Sequence, residues 1–343
     1  MWCVAADMLD PDCVTVPANL SSSAPPRKPG EQGGWNVLPS DHDQSKVPPT
    51  RMNKAFFLVT VLALQTAAAC RAAEPAKILL IAGKPSHGPG DHEFRAGMLL
   101  IQRTLQAVPA VQTLVASNGW PADTSAFQGV AAVVIYSDGG AGHPAIQGDR
   151  MELVNALAKK GVGLGFMHYA VEVPKGDPGK AMQEWIGGYY EHEFSCNPMW
   201  SPEYQTFTTH PTTRGVKPFS IRDEWYFNMR FCPDMKGITP ILVAKPSDKV
   251  RNGPYVWPNG PYPHIQAAKG RDEAMMWVLE RDDGGRGFGF TGGHVHRNWG
   301  NENFRKVLLN TLLWVAKVEV PEGGVSAPVP EPELASNLDA KKK

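Results

Sequence analysis

Residues 284–300 read GGRGFGFTGGHVHRNWG, an apolar segment with regularly spaced glycines that runs into a turn with two histidines, His294 and His296. An amphipathic helix is predicted directly after this turn, because apolar residues recur at helical spacing: Phe304, Val307, Leu308, Leu312 and Val315. A strand whose following helix packs back onto a sheet indicates an α/β fold. Ligands bind beyond the carboxyl ends of the strands in such folds. Both histidines are therefore candidate site residues, the alternative being that one of them caps the turn or packs under Trp299.

The same alternation of strand and helix extends over the rest of the chain. Continuous apolar runs predict buried strands at 77–82, 111–116, 130–136, 162–167, 274–279 and 287–291. Helices are predicted from Glu93 onward, at 149–160 and at 301–317. Repeated strand–helix–strand units predict a parallel sheet with helices on both faces. The segment 170–265 is rich in Pro, Trp and Tyr, and we expect it to leave the sheet and form the walls of a pocket, with 238–244 among its short elements.

The two ends of the chain are predicted to lie outside the folded domain. Residues 52–73 have a positive start, a short apolar run and small residues before a cleavage point, as in a secretory signal peptide. We therefore expect a secreted or periplasmic protein whose translation starts at Met52. Cys70 would allow a lipid anchor, but the residues before it depart from that signal. Residues 1–51 and 322–343 are rich in Pro, Ser, Gly and charged residues and are predicted to be disordered.

Composition and charge limit the partners of the chain. It has 343 residues, 34 Lys and Arg against 34 Asp and Glu, and no run of basic residues in its body, which argues against nucleic acid as a partner. No apolar run reaches the length that a membrane span requires. Gly163-Leu164-Gly165 lies inside a predicted strand and lacks the third glycine of a dinucleotide fingerprint, so no nucleotide cofactor is expected. The sequence leaves a homo-oligomer open.

Polar residues follow four of the predicted strands. They are His87, Asp91 and His92 after the first, Asp138 and His143 after the third, His168, Tyr169 and Glu172 after the fourth, and His294 and His296 after the last. Because the carboxyl ends of parallel strands share one edge, we expect these side chains to converge on one crevice. Histidines with carboxylates can bind a divalent metal such as zinc, or they can act as general acids and bases near neutral pH. Nearby Tyr and Trp residues suit stacking on sugar rings, with ordinary aromatic packing as the alternative.

Several longer motifs resemble the trehalose-utilisation, or ThuA-like, family. They are KPSHGPGDHEF (84–94), IYSDGGAGHP (135–144), GVGLGFMHYAVEVPKGDPG (161–179), DEWYF (223–227) and GGRGFGFTGGHVHRNWGNENFRK (284–306). The resemblance covers residues 76–321 and is to the secreted bacterial members of the family. It implies a class I glutamine amidotransferase-like fold, with a flavodoxin-like parallel sheet between helices, which agrees with the pattern of strands and helices.

The chain departs from the glutamine amidotransferases of that fold at two places. Those enzymes carry a nucleophilic Cys in a tight elbow after one strand and a His-x-Glu pair after a later strand. Here the elbow, residues 165–169, reads GFMHY and contains no cysteine. The later pair reads His294-Val295-His296, so a histidine replaces the Glu of the amidotransferases. Because a thiolate is required to form the glutamyl thioester, amidotransferase activity is not expected. Cys196 and Cys232 lie far from the elbow in sequence, and whether they pair with each other stays open.

The resemblance implies a small carbohydrate substrate and an enzyme of the hydrolase, lyase or isomerase type that acts on keto-disaccharides or glycosides. Two alternatives stay open, a non-catalytic carbohydrate-binding accessory module and a metal-dependent hydrolase of unrelated substrate. The candidate catalytic residues are His168, His294, Glu172 and Asp138. The candidate substrate-binding residues are His92, Tyr169, His192, Glu224, Tyr226 and Trp299. If a divalent metal such as zinc is bound, its candidate ligands are His168, His294 and His296.

Overall fold

A seven-stranded sheet forms the centre of the structure, a computed structural model that describes residues 74–326 and 328–342. The predictions for 1–51 and 52–73 lie outside these described residues. The strands of the sheet are β1 (Ala76–Ala82), β2 (Val111–Ala116), β3 (Val130–Tyr136), β4 (Gly163–Met167), β5 (Ile238–Ala244), β6 (Glu273–Glu280) and β7 (Arg286–Phe290). The apolar runs of β1, β3 and β4 are almost wholly buried, because helices cover both faces of these inner strands. By contrast, β2 is the edge strand and remains partly exposed.

The strand order is β5-β6-β7-β4-β3-β1-β2. The five strands in the order β2-β1-β3-β4-β7 all pair in parallel. This is the order of a flavodoxin-like sheet, so the predicted fold class is confirmed. The sheet is not purely parallel, since β6 pairs antiparallel with both β5 and β7. The connection at 281–285 is too short for a crossover and forces this hairpin. The prediction that 238–244 forms a pocket wall is corrected, because these residues are the edge strand β5.

Helices lie on both faces of the sheet. They are α1 (Phe94–Leu105), α2 (Arg150–Lys159), α3 (Asp177–Ile186), α4 (Asp248–Arg251), α5 (Pro263–Ala267), α6 (Glu302–Val315) and α7 (Glu331–Leu334). Short 3-10 turns occupy Thr124–Phe127, Gly140–Gly142, Pro144–Ile146, His168–Val171, Pro211–Thr213, Pro233–Met235 and His296–Gly300. The apolar residues of α1 and α6 belong to one core cluster and those of α2 and α3 to the other. None of the helices that the structure describes could cross a membrane.

The helix α6 packs as its sequence predicts. Its N-cap is Asn301, whose side-chain oxygen accepts hydrogen bonds from the backbone N–H groups of Asn303 and Phe304. The five apolar residues at helical spacing are all buried: Phe304, Val307, Leu308, Leu312 and Val315. The glycine spacing of β7 has an equally direct cause, since a Cβ at Gly289 would lie 2.1 Å from the Trp277 ring. Glycine is therefore required there to let β6 and β7 approach.

The segment between α3 and β5 forms three small two-stranded ladders outside the central sheet. The paired strands are Gly188–Tyr189 with Arg230–Phe231, Met199–Trp200 with Asp223–Glu224, and Glu203–Tyr204 with Phe219–Ser220. Asp223 accepts hydrogen bonds from the backbone N–H groups of Gly293 and Val295. The ladder that contains Glu224 is thereby fixed against the turn after β7.

The C-terminal segment differs from the prediction of disorder for 322–343. Of this segment the structure describes 322–326 and 328–342, and it packs beside α1 with Leu334 buried. Glu93, which is 1% exposed, accepts a hydrogen bond from the backbone N–H of Asp339 at 2.8 Å and lies 3.3 Å from the Lys341 ammonium. A buried carboxylate requires such partners. Composition suggests disorder here because it does not reveal this pairing.

Candidate functional site

Three histidines and one glutamate converge at the carboxyl edge of the central sheet. His92 lies in the loop between β1 and α1, His168 directly follows β4, and His294 lies in the turn after β7. Glu224 reaches the same place from its two-residue strand. One ligand atom from each of these four residues, which we call the His3Glu cluster, lies within 4.8 Å of those of the other three. The sequence predicts both His168 and His294 as candidate catalytic residues and metal ligands, and the structure brings them together.

The distances within the His3Glu cluster are short. His92 Nε2 lies 3.0 Å from His168 Nε2 and 2.9 Å from His294 Nδ1. Glu224 Oε2 lies 2.6 Å from His294 Nδ1 and 3.5 Å from His168 Nε2. Four potential ligand atoms therefore surround one point.

The tautomers of His92 and His168 are set by the hydrogen-bond acceptors next to their Nδ1 atoms, which point away from the cluster. His168 Nδ1 donates to the carbonyl oxygen of Thr291 at 2.9 Å, and His92 Nδ1 donates to Asp138 Oδ1 at 3.1 Å. Each neutral ring therefore directs the lone pair of its Nε2 into the cluster. Two such lone pairs that face each other at 3.0 Å repel unless a cation or a proton lies between them. Metal-bound histidines have this arrangement, with the outer nitrogen held by a carboxylate or a carbonyl.

The backbone at two of these histidines is strained. His92 has φ of 48° and His168 has φ of 53°, both in the left-handed region that non-glycine residues rarely adopt. Such residues cost about 1–3 kcal/mol each and occur mostly at functional sites. The glycines at 292–293 leave room for the His168 side chain. Gly293 has φ of 115° and lies beside His168. The strain agrees with a functional role for the cluster.

Electrostatics favour a neutral His92 and an ionised Glu224 in the cluster. Burial, together with the neighbouring His168, holds the pKa of His92 far below its usual range. Burial alone would raise the pKa of Glu224, but the adjacent imidazoles of His168 and His294 outweigh it and lower the pKa to about 2. Burial opposes the charged form of His294, yet its hydrogen bond with Glu224 raises its pKa. Imidazole nitrogens with one carboxylate oxygen are the donor set that zinc and similar divalent ions bind.

A cavity of about 250 Å³ opens beside the His3Glu cluster. Among its lining residues are four that the sequence predicts for the site: Tyr169, Glu172, His192 and Tyr226. Burial, together with the charge of Glu224, raises the pKa of Glu172 to about 7. Burial raises the pKa of Tyr169 to about 12, so this phenol keeps its proton. The cavity therefore combines potential metal ligands with a carboxyl group that can exchange a proton near neutral pH.

The structure changes the roles of five predicted residues. His92 and Glu224, predicted to bind substrate, belong to the cluster itself. Asp138, predicted to be catalytic, orients His92 through a hydrogen bond. The prediction that His296 is a metal ligand is wrong. A 3-10 turn begins at this residue and directs its Nε2 to the carbonyl oxygen of Leu334 at 2.9 Å. The prediction that Trp299 binds the substrate is also wrong, because this residue is fully buried in the core.

Three lining residues are absent from the sequence prediction: Asn197, Val256 and Trp257. They belong to the long segment between β4 and β6, in which no periodic pattern indicates where a side chain lies. The only available signal was the local abundance of Trp, Tyr and Pro.

The two cysteines within the described residues are both free thiols. Cys196 is buried, and burial raises its pKa far above the usual range. A thiol in that state is not a nucleophile near neutral pH. The residue that directly follows β4 is His168, and the predicted elbow at 165–169 contains no cysteine.

Comparisons with known proteins agree with the sequence motifs. A sequence model of the family described as ThuA, trehalose utilisation, matches residues 80–315, which is more than half of the chain. No curated protein matches the chain. Similar solved structures include ThuA-like proteins from Bacteroides uniformis (15% identity, 71% of this chain and 93% of that chain, TM-score 0.49) and Parabacteroides merdae (16% identity, 75% and 94%, TM-score 0.48). A glutamine amidotransferase from Thermotoga maritima is also similar (9% identity, 76% and 99%, TM-score 0.36).

Proposed function

The chain belongs to the ThuA, or trehalose-utilisation, family, and we propose that it is a metal-dependent enzyme that processes keto-disaccharides or related keto-glycosides. The observation that carries the proposal is the His3Glu cluster beside a cavity that contains Glu172. The description of the family supports a carbohydrate substrate. The signal-peptide pattern at 52–73 supports a secreted or periplasmic location.

The residues of the cluster fit a divalent cation such as zinc. His92 Nε2, His168 Nε2, His294 Nδ1 and Glu224 Oε2 would hold the ion. The anionic carboxylate offsets part of its charge, and Asp138 and Thr291 fix the orientation of two of the imidazoles. A divalent cation polarises a carbonyl oxygen of the substrate and lowers the pKa of the protons on the adjoining carbon.

Glu172 supplies the acid/base chemistry in this proposal. In the metal-free protein, a pKa of about 7 leaves comparable fractions of the carboxyl group protonated and ionised at neutral pH. It can therefore take a proton from the carbon next to the keto group and return a proton to an oxygen of the substrate. Asn197 and the phenols of Tyr169 and Tyr226 provide hydrogen-bonding groups around the same cavity. These groups suit the hydroxyls of a sugar ring.

The test is turnover of a 3-keto-disaccharide by purified protein loaded with zinc, manganese or iron(II). We expect turnover to require the metal, and Glu172→Gln to lower kcat by about 100-fold or more, as for the loss of a general acid/base. The matched control is Glu184→Gln, an exposed glutamate of α3, which should keep the activity of the unmodified protein. Full activity of Glu172→Gln would contradict the role of this residue. Binding of the sugar without turnover by any metal form would favour the accessory-module alternative.

A further inference from the structure

Two large apolar side chains are unusually exposed at the mouth of the 250 Å³ cavity. Trp257 is 69% exposed and Val256 is 45% exposed. Within the described residues, the other large hydrophobic side chains that are exposed are Leu114 and Leu338, at 40% and 41%. Because Val256 and Trp257 are adjacent in the chain and both line the cavity, they form an exposed apolar patch beside it, and such patches mark binding sites.

The segment that carries Trp257 is connected to the His3Glu cluster by a single residue. The backbone N–H of Trp257 donates to the side-chain oxygen of Asn197 at 3.1 Å, and that of Val256 donates to its carbonyl oxygen at 3.3 Å. The side-chain nitrogen of Asn197 donates to Glu224 Oε1 at 2.8 Å. The position of the tryptophan relative to the cluster is therefore set by direct hydrogen bonds.

The size of the cavity indicates which part of a bound substrate would contact Trp257. Pockets that enclose a drug-sized ligand measure about 300–1,000 Å³, and this one, at about 250 Å³, is smaller. A cavity of this size does not enclose a whole disaccharide. Any second ring of the substrate must then lie at the mouth, where Val256 and Trp257 are exposed. The C–H face of a pyranose ring is apolar and flat enough to lie on an indole, while its hydroxyls remain in water.

We propose that Trp257, flanked by Val256, forms a stacking platform for the second ring of a disaccharide substrate. This proposal rests on the proposed function, because it says where the second ring of the proposed disaccharide substrate binds, away from the His3Glu cluster. It makes Trp257 a residue that determines specificity for disaccharides over simple glycosides, with no part in the proton transfer.

The first test compares 3-keto-trehalose with methyl 3-keto-α-glucoside as substrates. If the ring contact contributes as much as an aromatic pair, about 0.5–1.5 kcal/mol, Trp257→Ala should raise the KM for the disaccharide by about 2–13-fold and leave its kcat unchanged. The KM for the methyl glycoside should stay the same. Trp257→Tyr should retain most of the preference, because it keeps an aromatic face. Leu114→Ala, an exposed apolar residue on β2, is the matched control. Equal effects of Trp257→Ala on both substrates, or no effect on either, would overturn the platform.

The second test separates the platform from the proposed reaction. If neither keto-sugar is turned over, the proposed function fails, and the platform is then measured as binding by ligand-observed NMR. The probes are trehalose and methyl α-glucoside with zinc-loaded protein. The platform predicts tighter binding of trehalose, with this preference lost in Trp257→Ala. Equal Kd values for the two sugars in the unmodified protein would overturn it.

Discussion

The substitution Glu172→Gln should change the pH dependence of stability in a defined direction. The Glu172 side chain is only 14% exposed, and burial together with the charge of Glu224 raises its pKa from 4.5 to about 7. A group whose pKa is raised on folding contributes stability that is complete below its unfolded pKa and is lost as the pH rises through the folded pKa. Each tenfold change in proton affinity is worth about 1.4 kcal/mol, so the loss amounts to about 3 kcal/mol between about pH 4.5 and about pH 7.

The magnitude is measured by urea unfolding of the metal-free protein and of Glu172→Gln at a series of pH values. The free energy of unfolding of the unmodified protein should fall by about 3 kcal/mol relative to the variant across this interval. The titratable groups that surround Glu172 are present in both proteins and are Tyr169, Tyr190, His192, Glu224, Tyr226 and Tyr262. Glu184→Gln on the exposed face of α3 should show no such divergence. A difference between Glu172→Gln and the unmodified protein that stays constant with pH would refute the raised pKa.

Two further predictions concern residues that support the cluster. Asp138→Asn should weaken zinc binding by about 10–100-fold in a competition with a chromophoric chelator, because it removes the carboxylate that orients His92; unchanged zinc affinity would exclude that role. Lys341→Met should lower the free energy of unfolding by about 3 kcal/mol, because it leaves the buried carboxylate of Glu93 without its cation. Lys342→Met, at an exposed position, should have little effect, and equal stability of the two lysine variants would contradict the proposed anchoring of the C-terminal segment.

The sheet and its strand-end histidines could be predicted because their patterns are local. The continuous apolar runs of β1, β3 and β4 indicate buried strands without reference to the rest of the chain. Once these strands are parallel, their carboxyl ends must share an edge, and this places His168 and His294 together.

The remaining parts of the site depend on contacts between distant segments. The sequence names Glu224 as a substrate-binding candidate but does not indicate its place in the cluster, and it does not indicate Trp257 at all, because two-residue strands and turns in these segments leave no periodic signal. The spacing of His294 and His296 suggests a shared side in an extended backbone, but the 3-10 turn that begins at His296 separates their directions. The polar composition near Lys341 suggests disorder, because the buried partner Glu93 lies far away in sequence.

The most direct test of the central claim is a crystal structure of the zinc-loaded protein with anomalous diffraction measured at the zinc edge. We expect a single strong anomalous peak in contact with His92, His168, His294 and Glu224, at ligand distances of about 2.0–2.2 Å. His168→Ala should remove this peak, while His264→Ala, which changes a histidine outside the cluster, should retain it. A zinc-loaded crystal of the unmodified protein without an anomalous peak among these four residues would contradict the account.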